Sequence, residues 1–570
     1  MKNIIGIICL LLSSQVVAQH LEKSSLLSVD ERGKIHYSAY TEKGDILPDF
    51  SYCGYKGGGV SFPVAVNKII LYPDIHSTDD TQRIQQAIDS VASMKADKHG
   101  MRGAVLLKRG VYRLASSLFL KASGVVLRGE GCQENGTVLI ATAPKQYTLI
   151  QVGSFKKLKK KSRSYSILDK YVPSGTTKIQ VEQAYKFKPG DKVVVERIGN
   201  EAWIDFMGMN RIAPRWENIS NLSIEKVEEY RRKGKLSADG KKYDATVQWQ
   251  EVSKNIRFER TVNEVMGSNL IIDIPITTAF QKEYGGGVVY KYEYEDRPEN
   301  IGIENLRAVS EYNKEITENL SYLKNYPADE KHGWTFLNMN TCENVWAKDL
   351  ICDAFAFGYI TKPGCKYATI QGCSFIDPVS LIEGGRRYGF CFGGQLGLVE
   401  RCYSRNGRHD FVLAATVAGP NAFVECKSEY AHAASEPHQR WATGCLWDNC
   451  EVTGPMGYFS ISNRGNYGTG HGWAGAQMVL WNCKADLVVL MSPPTAQNFA
   501  VGTCASQTEW ATPEHLQILV ERLNKVSGNN FQYHGLPVVG DGFIELQNKL
   551  AEPRSLYYKQ LENRKEYKND

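Results

Sequence analysis

TIQGC (Thr369–Cys373) and LVERC (Leu398–Cys402) are the first two of five copies of one short pattern, an apolar strand that ends in a cysteine. The other three copies are FVEC (Phe423–Cys426), LWDNC (Leu446–Cys450) and LWNC (Leu480–Cys483). Successive cysteines lie 29, 24, 24 and 33 residues apart. A repeat of about 22–25 residues that contributes one short strand per copy, with extra residues forming loops, is typical of a solenoid. The pattern therefore predicts an all-β chain of stacked parallel strands.

The overall composition fits one large folded body. The chain has 570 residues, of which 42% are hydrophobic and 23% are charged, an ordinary globular balance. The net charge of +6 is modest for this size, and its sharpest local feature is the run Lys156–Lys161. Such a run is either a solvated loop or part of a groove that attracts an acidic polymer. With no nucleic-acid-binding motif in the chain, we do not expect nucleic acid as a partner.

The first residues, MKNIIGIICLLLSSQVVAQ, have the features of a secretory signal. Lys2 supplies the positive charge, Ile4–Leu12 form the apolar segment, and Val16–Ala18 form a small-residue cleavage site. We therefore expect residues 1–18 to be a signal peptide and the protein to be exported, either periplasmic or secreted. No later stretch has the roughly 18 unbroken apolar residues that a membrane span requires.

The cysteine count allows disulfides but does not favour them. Thirteen of the 14 cysteines lie outside the predicted signal peptide, and an odd number leaves at least one free thiol. Export makes disulfides possible. Because five cysteines recur at the repeat spacing on strand ends, we interpret them as a stack of buried, inward-facing thiols. No CxxC pair is present, which argues against a zinc module.

The sequence divides into four parts. After the signal peptide, residues 19–100 form an N-terminal segment that ends in a capping helix, which starts near Thr78–Thr81. The solenoid is predicted over residues 101–505, with a strand-rich insertion at about 185–300. The last part, residues 506–570, is a helical tail, in which Thr512-Pro513-Glu514 has the pattern of a helix start.

The segment GAVLLKRGVYRLASSLFLKASGVVLRGEG (Gly103–Gly131) contains short apolar strands that are separated by Gly and Ser turns. Together with the predicted helix before it, this segment resembles the corresponding part of the pectate-lyase-like superfamily. The resemblance implies a right-handed parallel β-helix. Many members of that superfamily act on acidic polysaccharides.

The loops of the later repeats hold most of the candidate functional residues. Arg386 to Arg408 is 22 residues, His409 to His432 is 23, and Arg440 to Arg464 is 24, so each interval is about one repeat. Residues one repeat apart in a parallel stack lie about 4.8 Å apart. The spacing therefore predicts a cationic and imidazole-rich patch on one face. The patch gathers Arg408, His409, His432, His438, Arg440, Arg464 and His471. The residues assigned to substrate binding are Arg386, Arg387, Arg408, His432, His438, Trp441 and Trp473.

That set of side chains suits β-elimination next to a uronate. The reaction needs a cation on the carboxylate, a base for the C5 proton and an acid for the leaving oxygen. Arginine matches a carboxylate with its planar fork, and histidine or a tyrosine with a depressed pKa exchanges protons near neutral pH. Tryptophan rings such as Trp441 and Trp473 would stack on sugar faces. The catalytic candidates are His409 or His471 as base, Arg440 and Arg464 on the carboxylate, and Tyr388 or Tyr467 as acid.

Other interpretations of the same residues remain open. A histidine in a solenoid turn often only bonds a neighbouring carbonyl. Asp410, Glu436 and Asp448 would then be partners of the cations. No metal site is assigned, although a divalent cation such as calcium stays open despite the lack of regular ligand spacing.

GHG at Gly470–Gly472 is similar to the motif of polygalacturonase-type glycoside hydrolases, but the NTD, Asp-Asp and R-x-K motifs of that family are absent between Leu350 and Cys504. Four further segments resemble a group of exported bacterial β-helix proteins. These segments are NGRHDFV, GPNAFVEC, PHQRWATG and NRGNYGTGHGWAGA. Some proteins of that group are uronic-acid polysaccharide lyases, including glycosaminoglycan lyases.

The sequence therefore supports three hypotheses for the function. The first is a lyase for a chondroitin-, dermatan- or hyaluronan-like or pectic chain. The second is a β-helix hydrolase that uses carboxylates such as Glu383, Asp410 or Asp448. The third is a non-catalytic glycan-binding solenoid.

Overall fold

The computed structural model describes residues 21–566. The predicted signal peptide lies outside these residues. Within them, no helix has both the length and the apolar composition needed to cross a membrane.

The chain is a right-handed parallel β-helix, which confirms the predicted fold class. One face, here called the site sheet, consists of seven parallel strands stacked through successive repeats. Its strands are Leu118–Leu120, Thr148–Val152, Thr335–Met339, Phe357–Thr361, Tyr388–Phe392, His409–Leu413 and Glu436–Pro437. A bridge from Ser435 to Phe459 continues this face into Phe459–Ile461, Val488–Leu490 and Val538–Gly540.

The second and longest face also consists of parallel strands. They are Asn67–Leu71, Gly103–Leu107, Val125–Arg128, Glu299–Ser310, Cys342–Asp353, Cys365–Gln371, Leu398–Glu400, Asn421–Val424, Ala442–Asp448, Gly475–Trp481, Phe499–Val501 and Phe543–Glu545. A shorter third face follows the second face within each repeat. Its strands are Gly110–Leu114, Thr137–Ala141, Ser374–Ile376, Tyr403–Arg405, Lys427–Glu429 and Glu451–Val452. The C-terminal halves of the long strands Glu299–Ser310 and Cys342–Asp353 also belong to this face, because they pair with its strands.

The interior is apolar and ordered by repeat. Tyr359, Phe390 and Phe411 lie in register on three site-sheet strands, with ring centroids 4.9 and 5.8 Å apart. The five repeated cysteines are buried at the corner between the second and third faces. In residues 21–566 all thirteen cysteines are free thiols, in agreement with the inward-facing stack. Close stacking of identical positions explains why a small, apolar residue suits that corner.

Helix α1 (Thr81–Ser93) covers the first repeat of the solenoid. Its buried stripe is Ile84, Ala87, Ile88 and Val91, which are the positions predicted to face the core. Just before the helix, Asp79 accepts hydrogen bonds from the backbone of Thr81 and of Ala115. The helix therefore shields apolar residues that the end of a solenoid would otherwise expose.

An antiparallel insertion separates the first repeats from the rest. Its sheet strands are Leu158–Lys160, Tyr165–Ser166, Lys178–Gln180, Lys192–Arg197, Ile256–Met266, Asn269–Ile272 and Gly287–Tyr294. Smaller pairs join Tyr171–Val172 to Phe280–Gln281 and Trp216–Asn218 to Lys242–Asp244, and the helices are α2 (Glu201–Phe206) and α3 (Ile224–Arg232). The insertion thus begins near residue 158 rather than at about 185, because the lysine run forms an edge strand there instead of a loop.

The C-terminal part packs along the side of the solenoid. Helix α4 (Pro513–Ser527) buries Leu516, Leu519, Val520 and Leu523, as predicted, against Leu487 and Val489. Thr512 caps the helix by accepting a hydrogen bond from the His515 amide. Unlike the expected purely helical tail, strands Val538–Gly540 and Phe543–Glu545 extend the stacked sheets before helix α5 (Leu556–Glu566).

The N-terminal and C-terminal segments are bonded to each other. Leu21–Lys23 pairs in parallel with Leu550–Glu552. Tyr557 donates its hydroxyl to the Cys53 carbonyl at 3.0 Å, and Arg564 donates to the Ser51 carbonyl at 2.8 Å. Two hairpins complete the strand set, Leu27–Val29 with Ile35–Tyr37 and Thr317–Glu318 with Tyr326–Pro327. Helix α5 therefore ties the segment around residue 50 to the second face, where Tyr557 and Tyr558 bond Asp448 and Glu400.

Candidate active site

Several of the predicted residues meet on three adjacent strands of the site sheet and in the turn after the third. Tyr388 and His409 are the first residues of adjacent strands and are directly paired in register. The next strand along the stack brings Glu436 opposite Val412, and His438 follows it in the turn. Parallel stacking therefore converts positions that are distant in sequence into one compact cluster.

Glu436 is the centre of this cluster. Its Oε1 lies 2.9 Å from His438 Nδ1 and 3.2 Å from His409 Nδ1, and it accepts a hydrogen bond from Arg464 Nη1. The Glu436 side chain is only 2% exposed. Burial raises the pKa of its carboxyl to about 7, while the charges of Arg464 and Arg408 act in the opposite direction. From the sequence, Glu436 was expected only as a structural partner of the cations or as a ligand of a cation such as calcium.

His438 connects this carboxyl to a tyrosine. Its Nε2 lies 3.1 Å from the Tyr388 hydroxyl, and its Nδ1 faces Glu436. Burial and the neighbouring Arg464 hold the pKa of His438 well below its usual range, so the imidazole is neutral near pH 7. The result is a carboxyl–imidazole–phenol chain of the kind in which a carboxylate fixes the tautomer of a base.

Tyr388 is the partly exposed end of that chain. Burial raises the pKa of its hydroxyl to about 12, and the charge of Arg408 opposes that rise. The phenol is therefore protonated at neutral pH. A tyrosine with a depressed pKa, one of the two expectations for proton transfer, is not found at this position because burial outweighs the nearby cations.

His409 lies beneath Tyr388. Its Nδ1 lies 2.8 Å from the Ala434 carbonyl, which can only accept, so Nδ1 carries the proton and Nε2 is bare. Nε2 is buried and has no hydrogen-bond partner among the described residues. The ring packs edge-on against Tyr388, with centroids 5.1 Å apart, and 4.7 Å from that of His438. Burial, with Arg408 next in effect, keeps the pKa of His409 well below its usual range.

Arg408 supplies an uncommitted cation. Its Nη1 is buried without a hydrogen-bond partner in residues 21–566, while the residue as a whole is partly exposed. Burial lowers its pKa, and Tyr388 and Glu436 raise it. Buried donors in folded proteins are almost always paired. An unpaired guanidinium nitrogen next to the Tyr388 end of the chain is therefore suited to an anionic ligand.

His471 and Arg440 extend the cluster on one side. The His471 ring centroid is 4.8 Å from that of His438, and its buried Nδ1 has no partner among the described residues. Gly468 makes room for this ring, because a Cβ there would lie 2.1 Å from His471 Nε2. Arg440 donates to the Thr469 carbonyl at 3.0 Å, so part of its guanidinium is already used by the loop.

Three other predicted binding residues form a separate group. Arg386 pairs with Glu330, and Arg387 is 3% exposed and donates to the carbonyls of Ser380 and Pro327. His432 Nδ1 lies 3.2 Å from the Tyr322 hydroxyl. Burial and then Arg387 lower the pKa of His432 to about 4. Tyr322 carries no sequence signal of its own, since it lies in a loop outside the repeats.

Tyr467, Trp441 and Trp473 have structural partners. Tyr467 donates its hydroxyl to the Arg522 carbonyl of helix α4 at 3.1 Å, and the Arg464 guanidinium lies 5.6 Å from the centre of its ring. Trp441 is 1% exposed and Trp473 is 8% exposed, and both pack in the apolar cluster under the insertion. The expectation that these two rings stack on sugar faces is therefore not met in this structure, because the insertion covers them.

The carboxylates assigned to a hydrolase do not converge on the cluster. Glu383 lies in an exposed loop and contacts Arg386. Asp410 is inside the solenoid, where it accepts hydrogen bonds from Ser404 and Ser428. Asp448 accepts from Ser555 and from the Tyr557 amide near helix α5. Glu436 is the carboxyl that contacts His409 and His438, whereas glycoside hydrolysis ordinarily uses a facing pair.

His409, Glu436 and His438 offer atoms close enough to be ligands of one metal ion. The arrangement of these three side chains does not suit a bound metal ion. Arg464 Nη1 is within hydrogen-bonding distance of both Glu436 Oε1 and His438 Nδ1, where an ion would have to bind. His409 Nδ1 is protonated towards Ala434, and calcium prefers six to eight oxygen ligands.

Comparison with known proteins gives likeness at the level of fold. No family model and no curated protein matches the sequence. Among solved structures, a tailspike of Acinetobacter baumannii bacteriophage AP22, solved with a capsular saccharide, aligns at 11% identity and a TM-score of 0.35, over 75% of this chain and 61% of that chain. The gp49 tailspike of Pseudomonas phage LKA1 aligns at 13% identity and a TM-score of 0.38, over 75% and 64%.

A polygalacturonase from Erwinia carotovora ssp. carotovora aligns at 10% identity and a TM-score of 0.30, over 79% of this chain and 95% of that chain. The chain thus spans less than two thirds of the two tailspikes.

Proposed function

We propose that this chain is an exported polysaccharide lyase that cleaves a uronic-acid-containing polysaccharide by β-elimination, with a glycosaminoglycan or pectic chain as substrate. The observation that carries the proposal is the chain of contacts from Glu436 through His438 to the Tyr388 hydroxyl, next to the unpaired Arg408 nitrogen. The N-terminal sequence supports export.

In this proposal Arg408 binds the uronate carboxylate. Neutralising that charge makes the adjacent C5 proton more acidic. A planar guanidinium matches a carboxylate in shape and keeps its charge at all relevant pH values. Arg464 is bonded to Glu436 and to the His438 carbonyl, and it stabilises the negative charge of Glu436. Arg440 stays a second candidate for the carboxylate.

Tyr388 then acts as the group that exchanges protons with the substrate. Its oxygen takes the C5 proton as its own proton passes to His438 Nε2, and Glu436 stabilises the imidazolium. The electron pair of the C5–H bond forms the C4–C5 double bond, and the C4–O4 bond breaks. The leaving O4 receives a proton back from the Tyr388–His438 pair, so the enzyme ends the reaction in its starting protonation state.

This assignment develops the roles expected from the sequence. Tyr388 keeps the proposed role of acid and gains that of base, and His438 moves from binding to proton transfer. His409 is placed as a positioning residue, since its side chain is 2% exposed and its ring packs against both Tyr388 and His438. His471 lies against the other side of His438.

The first test is incubation with a panel of acidic polysaccharides, namely chondroitin sulfate, dermatan sulfate, hyaluronan and polygalacturonate. We expect the ultraviolet absorbance of an unsaturated uronate with at least one of them, and products that mass spectrometry identifies as unsaturated. Tyr388→Phe should lower kcat by about 10³-fold, in the range for loss of a general acid–base group.

The matched control is Tyr403→Phe, which removes a hydroxyl that bonds Glu429 on the third face. It should leave kcat within about twofold of wild type. New reducing ends without absorbance would indicate a hydrolase instead, and retention of a polysaccharide without any product would indicate a binding protein. Equal loss in both variants would contradict the assignment of Tyr388.

A further inference from the structure

A second candidate site lies past the C-terminal ends of the site-sheet strands, and its lining shares no residue with the cluster around Glu436. Phe392 and Leu413 end the strands that Tyr388 and His409 begin. Beyond them is a cavity of about 590 Å³. It lies between the insertion and the turns that follow four site-sheet strands.

The charge on the walls of this cavity is mainly positive. Lys156 and Lys157 contribute from the segment just before the insertion, Arg257 contributes from the insertion, and Lys362 contributes from a turn of the solenoid. Lys156 and Arg257 have carboxylate partners at 3.7 Å (Glu295) and 3.1 Å (Glu196). In the part of the chain that the structure describes, neither Lys157 nor Lys362 has a carboxylate within ion-pair distance.

The acidic residue on the wall does not offset these two lysines. Glu259 is bonded to Arg297 at 2.6 Å and to the hydroxyls of Tyr292 and Tyr294 at 2.9 Å each. Its side chain is only 4% exposed. Its negative charge is therefore already used within the junction between the insertion and the solenoid.

An aromatic ring lies beside the lysines. Phe155 lines the cavity and is 64% exposed. It directly precedes Lys156 and Lys157 in the chain. An exposed ring next to cations offers an apolar face and a positive charge together. A sugar ring that bears an acidic group presents the matching apolar face and negative charge.

We propose that this cavity is a distal subsite for an acidic sugar of the polymer, bound by Lys157 and Lys362 and packed on Phe155. The proposal rests on the proposed function, because it assigns a further part of the same polysaccharide to the same sheet. It also gives the start of the Lys156–Lys161 run, just before the edge strand of the insertion, a role in substrate binding. Acidic groups on the polymer, either carboxylate or sulfate, are the chemistry that this subsite recognises.

The test measures binding in the full chain by calorimetry, with chondroitin sulfate and polygalacturonate as acidic probes and dextran as a neutral probe. The double variant Lys157→Glu/Lys362→Glu should weaken the Kd for the acidic probe that binds by about tenfold, as expected when two cation–anion contacts become repulsive. The control Lys160→Glu reverses a charge in the strand that follows Lys157, outside the cavity lining, and should change Kd by less than about twofold.

Equal weakening in the control, an unchanged Kd in the double variant, or no binding of either acidic probe would overturn the subsite. Because the measurement needs no product, it is separate from the test of lyase activity. If wild-type protein binds the probe without cleaving it and the double variant loses that binding, the subsite stands and the proposed reaction fails. If product forms but the Kd is unchanged, the reaction stands and the subsite fails.

Discussion

Glu436 and Asp410 are two buried carboxyls on adjacent strands of the site sheet. Burial raises the pKa of Glu436 to about 7 and that of Asp410 to about 6. Their neighbours differ completely. Asp410 faces the interior, where its two oxygens accept from Ser404 at 2.5 Å and from Ser428 at 2.6 Å. Glu436 instead contacts His438, which links it to the partly exposed Tyr388.

The comparison shows that burial and a raised pKa do not by themselves identify a functional carboxyl. The contacts around Asp410 end at two serines that lie inside the core. Those around Glu436 end near atoms that lack partners in residues 21–566, namely His409 Nε2, His471 Nδ1 and Arg408 Nη1. Unpaired buried groups are rare in folded proteins, so their grouping around one carboxyl distinguishes the two sites.

Of the two carboxyls compared here, Glu436 should matter far more for activity than Asp410. Glu436→Gln keeps the shape of the side chain but cannot stabilise an imidazolium at His438. We expect kcat on the cleaved polysaccharide to fall by about 10²-fold or more, with little change in the thermal unfolding midpoint. The matched control Glu429→Gln, on the third face, should keep kcat within about twofold.

The same variant should change the pH dependence. Because the pKa of Glu436 is raised to about 7, wild-type kcat/KM should fall as pH drops below that value and the carboxyl is protonated. The residual activity of Glu436→Gln should be flat across this range. A wild-type profile that stays flat from pH 8 to pH 5 would contradict the role given to Glu436.

Asp410→Asn should affect stability and leave activity unchanged within about twofold. The folded pKa of Asp410 is raised from 3.8 to about 6, so the folded state holds its proton more tightly than the unfolded state does. Its contribution to stability is therefore present at low pH and lost as pH rises through that window, by up to about 3 kcal/mol.

Thermal unfolding midpoints of wild type and Asp410→Asn, measured from pH 4 to pH 7, test this expectation. The wild type should lose stability relative to the variant as the pH rises. A difference between the two proteins that does not change with pH would show that Asp410 titrates normally in the fold. A large loss of activity would place Asp410 in the site after all.

The smallest expected effect is the reaction of the native protein with a thiol reagent, because most of its cysteines are buried. Eleven of the thirteen cysteines in residues 21–566 are buried, and Cys132 and Cys504 are partly exposed. We expect a thiol reagent to label at most these two in the native protein and all thirteen after unfolding in denaturant without reductant. Fewer thiols in the unfolded protein would show that disulfides form, contrary to the stacked-thiol interpretation.

The repeated strand-and-cysteine pattern predicted the fold because stacked strands require a nearly constant number of residues per repeat. The cysteine pattern placed the second-face strands, and the buried stripes of α1 and α4 follow helical periodicity. The start of the insertion was misplaced because a run of lysines has the composition of a loop, although at the edge of a sheet it forms a strand.

For the candidate site, spacing brought together Arg408, His409, His438 and Arg464, but it contains no information on side-chain direction. It did not show that Trp441 and Trp473 are covered by the insertion, or that Arg387 is bound by carbonyls. The central position of Glu436 follows from the direction of three neighbouring side chains. Only coordinates supply that information.

The contact between the segment around residue 50 and helix α5 changes how such a stack should unfold. A solenoid in which each repeat touches only its neighbours frays from its ends, one repeat at a time. Here Tyr557 bonds the backbone at Cys53, and Leu21–Lys23 adds a strand to Leu550–Glu552. Fraying at the C-terminal end must first break contacts made by residues from the other end of the chain, so those last repeats and the N-terminal segment should melt together as one cooperative unit.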